Sequence, residues 1–254
     1  MKVIVCVKQV LEVSGYLEFA ADGTGVDPAF VTTAVNDADL CAVEEALALV
    51  ESAGSGEVVL ASVGEDGAEE ALRYALAMGA DRALRVWSDG LAVHDPRTVG
   101  SALAQVIAGE SADLVLCGVQ SSDIGQQSTG PVVGQAWGVP WVPVVRSLSL
   151  TGRTLTAVRE FEAGVTETVE VDLPAVVTVQ VGANIPRYGS FKEKMKAKKA
   201  EIPVVAPADL PPPRTVLARM TAAPGGSQRS LEMIEGGPAE VAARIVALVR
   251  EAQS

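Results

Sequence analysis

Several residue types are scarce in this sequence, and each shortage excludes a class of protein. Three cysteines without a C-x-x-C pair, together with a single histidine, provide neither a disulfide framework nor a zinc site. Cationic residues number 20 against 32 acidic ones, and the net charge of −12 argues against general binding of nucleic acid. Because no apolar run reaches the roughly 18 residues of a membrane span and no signal peptide is visible, we expect a cytoplasmic protein without a membrane span.

Catalytic motifs are missing as well. No acidic residue stands in a recognisable pair with a base, and no nucleophile comes with an activating base in a known motif. The patterns G-x-x-x-x-G-K-[ST] and S-G-G-x-[DS] are both absent, which argues against a P-loop or pyrophosphatase-type adenylating enzyme. The sequence therefore predicts a protein with no catalytic residues and no metal site.

Apolar segments of strand length alternate with helical patterns through the first half of the chain. Strands are predicted at 2–8, 58–62, 83–87 and 114–117, and helices after Asn36, at 68–78 and at 96–108. Gly79 and Gly109 are placed to end the second and third helices. Such alternation requires right-handed crossovers and a parallel sheet covered by helices on both faces. We therefore expect an α/β fold of the Rossmann type, with a mostly parallel sheet.

The pattern changes after Trp141, where short alternating segments favour an antiparallel β-ribbon. Its strands are predicted at 144–150, 154–159 and 166–171, followed by a strand at 175–181 and a helix at 189–199. A small hairpin is also predicted between Tyr16 and Val26, around a turn at 22–25.

The end of the chain is predicted to form an extension. A proline-rich linker at 207–213 is hostile to helix and to sheet interior alike, and a helix follows at 238–251. We expect a nucleotide-binding domain of residues 1–206, with the ribbon inserted in it, and a C-terminal arm of residues 207–254. The apolar stripe of the final helix either clasps a partner or folds back on its own domain.

The segment 113–131 is the most informative stretch for function. A short apolar run ends at Cys117, a loop of Gly, Ser, Gln and Thr follows, and a helix is predicted with Pro131 in its first position. Unpaired N–H groups and the positive end of the helix dipole would point at this loop, which suits a phosphate. Ligands of parallel sheets lie at the carboxyl ends of the strands, where this chain is rich in small residues. An ordinary connection between strand and helix is the alternative.

Specific blocks of residues resemble the beta subunits of the electron transfer flavoproteins. The block from Ala157 to Thr178 is similar to the signature of that family, and the blocks from Asn184 to Tyr188 and from Met195 to Lys199 are similar to its next part. The same pattern extends to residues 5–10, 36–45 and 75–81. The resemblance spans nearly the whole chain and is weakest at 10–35 and 210–237.

The resemblance implies a fold like that of the adenine nucleotide alpha hydrolases and a heterodimer with an alpha subunit that carries the redox FAD. In that family the beta subunit holds a structural AMP or, in electron-bifurcating members, a second FAD. The cofactor-binding positions that it implies are Cys6, Asn36, Asp37, Ala38, Asp39, Val63, Gly118, Val119, Gln120, Ser121, Ser122, Asp123, Ile124, Gly125, Gln126, Gln127, Ser128 and Thr129. We expect the Ser128 and Thr129 hydroxyls to assist phosphate binding. Asn36 is expected to cap its helix and contact the nucleotide. Asp123 is expected to accept a hydrogen bond from a ribose hydroxyl.

The resemblance also implies a recognition loop at 184–202 that docks an acyl-CoA or other flavin dehydrogenase, so that electrons pass through the FAD to a downstream acceptor. The partner-binding positions that it implies are Arg187, Tyr188, Phe191, Lys192, Met195 and Lys196. Phe191 stands where many members carry leucine, and an aromatic anchor beside lysines suits a binding hot spot. Two alternatives stay open: Phe191 packs beneath its own loop, and the lysines form a merely solvated face.

A function of a different class is a stand-alone adenine-nucleotide-binding regulator that resembles the universal stress proteins. Such a regulator would explain roughly the first 140 residues, because they contain the predicted parallel sheet. It would leave the ribbon, the basic helix and the proline-tethered tail without a role.

Overall fold

The computed structural model describes residues 1–13, 17–221 and 233–253. The chain divides into two units, Met1–Arg219 and Met220–Ser254. The first unit contains the strands β1 (Lys2–Cys6), β2 (Gln9–Val13), β3 (Val31–Val35), β4 (Glu57–Val63), β5 (Arg82–Val86), β6 (Leu114–Gly118), β7 (Trp141–Thr151), β8 (Thr154–Glu160), β9 (Thr166–Asp172), β10 (Ala175–Val179) and β11 (Val204–Val205). Its helices are α1 (Asp37–Ser52), α2 (Ala68–Met78), α3 (Pro96–Glu110), α4 (Thr129–Trp137) and α5 (Phe191–Lys198), and the second unit contains α6 (Pro238–Gln253).

The main sheet has nine strands in the order β11-β5-β4-β1-β6-β10-β7-β8-β9. All neighbours from β11 to β7 pair in parallel, whereas β7, β8 and β9 form an antiparallel ribbon at one edge. The predicted α/β fold with a mostly parallel sheet is confirmed. The ribbon and the return of the next strand, β10, to the main sheet are also as predicted.

Both faces of the sheet are covered, which explains the near-continuous apolar strands. In β1, Val3 and Val5 face the cluster that contains α1 and α2. Ile4 and Cys6 face the opposite cluster, which contains α3 and α4. Alternate residues of one strand therefore enter two different cores, so no position of the strand can be polar without loss of packing.

The ends of the helices follow local chemistry, and several of them differ from the predicted positions. The helix α2 has the predicted bounds and ends at Gly79, which has a φ of +129°. The predicted end of α3 at Gly109 is wrong, since the helix continues to Glu110 and is terminated by Ser111 in the left-handed region. Pro131 is the third residue of α4 rather than the first. Proline is tolerated there because the first four N–H groups of a helix have no partner within the helix.

The first strand ends earlier than predicted, and a second small sheet follows it. Residues Val7 and Lys8 lie beyond the end of β1, and β2 pairs with β3 in an antiparallel two-stranded sheet that the sequence did not indicate. Phe19 and Val26 form the expected bridge around the 22–25 turn. Tyr16, the predicted start of that hairpin, lies outside the described residues.

The proline-rich segment 207–213 belongs to the first unit, and hydrogen bonds hold it and its neighbours to that unit. Val204 and Val205 pair with β5, and Gln105 of α3 exchanges two hydrogen bonds with the backbone of Ala208, at 2.6 and 3.0 Å. Farther on, the Asp95 carboxylate accepts from Arg214 N at 3.2 Å. The domain division after residue 206 stays a prediction.

The second unit contains α6, which begins at the predicted residue and extends two residues further than predicted, to Gln253. Its side chains of Ile245, Val246 and Val249 are about half exposed. Among the helices of the described residues, none combines the length and apolar character needed to cross a membrane. Within those same ranges, no group of His, Cys, Asp and Glu is arranged to hold a metal.

Candidate functional site

The carboxyl ends of three adjacent strands meet at one edge of the main sheet. Cys6 at the end of β1 is paired in register with Ala61 of β4 on one side and Cys117 of β6 on the other. The strands β4 and β6 end at Val63 and Gly118, and Val7 and Lys8 follow the end of β1. This edge is where parallel sheets bind ligands.

Asn36 fastens the loop that follows β6 to the start of α1. It occupies the N-cap position of α1, but its side chain makes no capping hydrogen bond, contrary to prediction. Instead its Nδ2 donates to Gln120 O at 2.8 Å and its Oδ1 accepts from Ser122 N at 3.2 Å. The side chain is 3% exposed, so its polar atoms serve the protein's own backbone.

Asp39 joins the ends of β1 and β6 in a similar way. Its Oδ2 accepts from Lys8 N and its Oδ1 from Gly118 N, both at 2.8 Å. Burial raises the pKa of Asp39 to about 7, although the hydrogen bond from the Lys8 amide acts in the opposite direction. A Cβ on Gly118 would lie 2.2 Å from Asp39 Oδ1, so only glycine allows this contact.

An ion pair holds the loop from Val119 to Ser128 to the segment that follows β1. Lys8 Nζ lies 2.6 Å from Asp123 Oδ1 and donates to Ser121 Oγ at 3.2 Å. Although burial acts to raise it, the pKa of Asp123 is lowered by hydrogen bonds from Lys8 and Ser121 and by the positive charge of Lys8. Gly125 adopts a φ of +67°, which allows the tight turn.

The loop ends at a buried hydroxyl next to a helix N-terminus. Ser128 Oγ is buried and has no hydrogen-bond partner within the described protein. Ser128 is the N-cap of α4, yet its side chain does not cap the helix. A Cβ on Gly130 would lie 2.2 Å from Thr178 Cγ2, so α4 starts in close contact with β10. The N-terminus of α4 therefore combines an unpartnered buried hydroxyl with the positive end of a helix dipole.

The other predicted cofactor positions lie at the same edge, with different exposures. Cys6 and Ala38 are buried, Val63 and Val119 are partly buried, and Asp37 and Ile124 are exposed. The three cysteines are all free thiols. Lys8 is an additional residue of this site. It was not predicted as one, although it is the last residue of the strand predicted at 2–8.

The predicted partner-binding segment begins with a stretch fixed to α1. Asn184 Nδ2 donates to Cys41 O at 3.0 Å and to Glu45 Oε1 at 2.9 Å. The Arg187 guanidinium pairs with Glu44 at 2.9 Å and with Glu51 at 2.5 Å. These two carboxylates raise the pKa of Arg187 further above its ordinary range, and the largest cause is the hydrogen bonding in which Arg187 donates to Glu51. The charge of Arg187 is therefore already matched within the chain.

The segment continues through Tyr188 into α5, and this stretch displays large side chains with exposed apolar surface. Phe191 is 79% exposed, Tyr188 77% and Met195 43%. Phe191 therefore does not pack beneath its own loop. Lys192 and Lys196 are also exposed, and Lys194 Nζ lies 4.9 Å from the centroid of the Tyr188 ring. This stretch therefore presents exposed apolar side chains next to several exposed lysines.

Comparisons with known proteins agree with this architecture. Residues 29–210 match the family model described as the Electron transfer flavoprotein domain. Similar proteins include the electron transfer flavoprotein subunit beta of Methylophilus methylotrophus, which is 37% identical over 99% of this chain and 98% of its own length. Those of Syntrophomonas wolfei subsp. wolfei and Homo sapiens are 39% and 36% identical over 82% and 83% of this chain and 81% and 83% of their own lengths. The resemblance seen in the sequence is thus confirmed, and the chain belongs to the electron transfer flavoprotein family as one of its beta subunits.

Proposed function

We propose that this chain pairs with an alpha subunit, holds AMP at the carboxyl edge of its sheet, and docks a flavin dehydrogenase whose electrons pass to the FAD of the alpha subunit. A downstream acceptor then takes the electrons. Members of this family are electron carriers, and we infer that this chain contributes structure rather than catalytic residues. The flavin supplies the redox chemistry. A cytoplasmic location stays a prediction.

The observation that supports the nucleotide site most strongly is the buried, unpartnered Ser128 hydroxyl at the start of α4. A buried polar atom without a hydrogen bond costs free energy, so its partner is expected to be a ligand atom. A phosphate oxygen beside Ser128 and Thr129 would also meet the N–H groups of the first turn and the positive end of the helix dipole.

The surrounding charges are compatible with a phosphate. Asp123 would repel an anion, but Lys8 pairs with it at 2.6 Å and neutralises it. Asn36 and Asp39 hold the loop through its backbone, so their contribution to binding is the shape of the site. These contacts support a site for the phosphate of a nucleotide.

The nucleotide site can be tested with Ser128→Ala and the matched control Ser149→Ala, an exposed serine of β7 that is not among the predicted cofactor positions. We expect AMP to bind about tenfold more weakly to the first variant, since a hydrogen bond to a charged group is lost. The control should bind AMP like the wild type. Isothermal titration calorimetry with AMP and, separately, with FAD measures both affinities. Equal AMP affinities in the three proteins would contradict the site, and tighter binding of FAD would favour the electron-bifurcating alternative.

Docking of a dehydrogenase is supported by the exposed side chains of α5. The lysines of residues 192–199 concentrate positive charge in a chain whose net charge is −12, so they would attract an acidic surface. Of the predicted partner positions, Phe191, Tyr188 and Met195 offer apolar area for the centre of the interface.

Phe191→Ala tests the docking surface. We expect the KM for a reducing dehydrogenase to rise about tenfold with kcat and AMP content unchanged, because an interface anchor is removed. Val165→Ala is the control, since Val165 is 60% exposed between β8 and β9, at the ribbon edge of the sheet, whereas α2, on which α5 packs, lies against β4 and β5. Loss of AMP together with docking would show that Phe191 supports the fold instead.

Pairing with an alpha subunit is supported by family membership and by the exposed apolar side chains of α6. We propose that the arm of residues 207–254 contacts the alpha subunit. Deletion of residues 238–254 should weaken co-purification of an alpha subunit while leaving AMP binding intact. Full co-purification of the truncated chain would show that α6 folds back on its own domain. A stand-alone regulator would not bind an alpha subunit at all.

A further inference from the structure

The helix α5, which we propose as the docking helix, buries few of its own side chains, so packing alone does little to hold it in place. It has eight residues, and Ala197 is its one buried side chain among those described. Isolated helices of this length are unstable in water, so something outside α5 must hold it. At the N-terminus a capping box does part of this, with Glu193 N donating to Ser190 Oγ and Ser190 N to Glu193 Oε2.

The chain enters α5 in tight contact with α2. A Cβ on Gly189 would lie 2.2 Å from the carbonyl oxygen of Ala77. One residue earlier, the Tyr188 ring meets the Tyr74 ring edge-on with 6.1 Å between centroids. The beginning of the docking surface is therefore positioned by the last turns of α2.

The C-terminal end of α5 lacks the usual helix terminator. Lys199 at the C-cap has a φ of −99°, so no residue in the left-handed region closes the helix there. Instead, Arg73 of α2 donates from Nη1 to three carbonyl oxygens: to Ala197 at 2.9 Å, Lys198 at 3.2 Å and Ala200 at 2.8 Å. A guanidinium is well suited to this place, because the carbonyl groups form the negative end of the helix dipole.

The orientation of Arg73 is itself fixed. Its Nη2 pairs with Glu69 Oε2, one turn earlier on α2, at 2.9 Å. The side chain is 29% exposed, so water competes with these hydrogen bonds only in part. Arg73 thus connects α2 rigidly to the end of the surface that carries Phe191 and Met195.

We propose that Arg73 is a positioning residue for partner docking: it ties the C-terminal end of α5 to α2 and so holds the exposed side chains of α5 in one orientation. The inference rests on the proposed docking function of α5. A surface that is ordered before contact loses less entropy when the partner binds. Arg73 itself need not touch the partner.

Hydrogen exchange in the wild-type heterodimer and its variants tests the contact between Arg73 and the end of α5. The dehydrogenase is not needed for this measurement. In Arg73→Met the amides of residues 195–200 should exchange about tenfold faster, because the carbonyl contacts are lost. Arg73→Lys should be intermediate, since an ammonium keeps the charge but not the fork of donors. Glu70→Gln, which removes an exposed carboxylate of α2 and leaves both Arg73 and Glu69 in place, should resemble the wild type. Unchanged exchange in both Arg73 variants would overturn the proposal.

Steady-state kinetics with the flavin dehydrogenase that reduces the wild-type heterodimer tests the consequence. We expect Arg73→Met to raise KM about tenfold while kcat and bound nucleotide stay unchanged, with partial rescue in Arg73→Lys. Faster exchange with an unchanged KM would overturn the positioning role. Phe191→Ala distinguishes the docking proposal from the positioning proposal. If Phe191→Ala leaves KM unchanged, docking through α5 is wrong. If Phe191→Ala raises KM and Arg73→Met does not, only the positioning inference is wrong.

Discussion

Replacement of Asp39 by asparagine should change how the stability of the chain depends on pH. Asp39 is 5% exposed, and its carboxylate accepts from two backbone amides, those of Lys8 and Gly118. Asparagine has nearly the same shape but offers one acceptor oxygen and no charge. One backbone N–H then loses its acceptor, which costs about 1–3 kcal/mol at every pH.

The pH-dependent part follows from the pKa of the buried carboxyl group. Burial raises the pKa of Asp39 from 3.8 to about 7 in the folded chain. Between these values the unfolded chain releases the proton and the folded chain keeps it, so the free energy of unfolding falls as pH rises. A difference of about three pH units corresponds to about 4 kcal/mol. Asparagine has no such proton, so the stability of the wild type relative to the variant should fall by about this amount from pH 4 to pH 8.

Urea unfolding of both proteins at half-unit steps of pH, at constant ionic strength, measures this difference. All other titrating groups are common to the two proteins and cancel. Asp37→Asn is the matched control, because Asp37 is exposed in the same helical turn. It removes a carboxylate of the same helical turn without leaving a buried amide unpaired. A constant difference between the wild type and Asp39→Asn over the range would refute the raised pKa of this carboxyl group.

Three further substitutions have separate expected outcomes. Gly118→Ala should abolish AMP binding in calorimetry and lower the unfolding midpoint, because its Cβ would lie 2.2 Å from Asp39 Oδ1; wild-type affinity would contradict the tight contact. Asp95→Ala should cost about 2–4 kcal/mol in urea unfolding, since a helix cap and buried acceptors are lost; a change below about 0.5 kcal/mol, typical of a surface site, would contradict this. Lys8→Met should weaken AMP binding about tenfold by leaving Asp123 unpaired, and adding Asp123→Asn should restore part of it; no rescue would point to another role for Lys8.

The elements that sequence patterns predicted well are those whose signals are local. The strand at Leu114 is apolar throughout because both of its faces are buried. The bounds of α2 follow from its apolar period and from Gly79. The strand β2 was missed because Gln9 and Glu12 interrupt its apolar pattern, and its pairing depends on β3 across an intervening loop.

The position of the candidate site could be predicted from the strand ends, but its internal contacts could not. The loop after Gly118 lies where parallel strands end, as expected for any sheet of this type. The pairing of Lys8 with Asp123 joins residues 115 positions apart, and no local pattern indicates it. Asn36 was expected to cap α1 because asparagine favours that position, yet its side chain holds a loop distant in sequence. Contacts of this kind depend on the tertiary fold.

The central claim is that backbone amides and the Ser128 hydroxyl at the end of this sheet hold an adenine nucleotide. The most direct measurement is to isolate the complex with its alpha subunit under native conditions, denature it, and quantify the released nucleotides by mass spectrometry. We predict about one AMP per chain in addition to the flavin of the alpha subunit, and a clear loss of AMP, but not of flavin, in Ser128→Ala. A complex that releases no adenine nucleotide beyond that one flavin would contradict the claim.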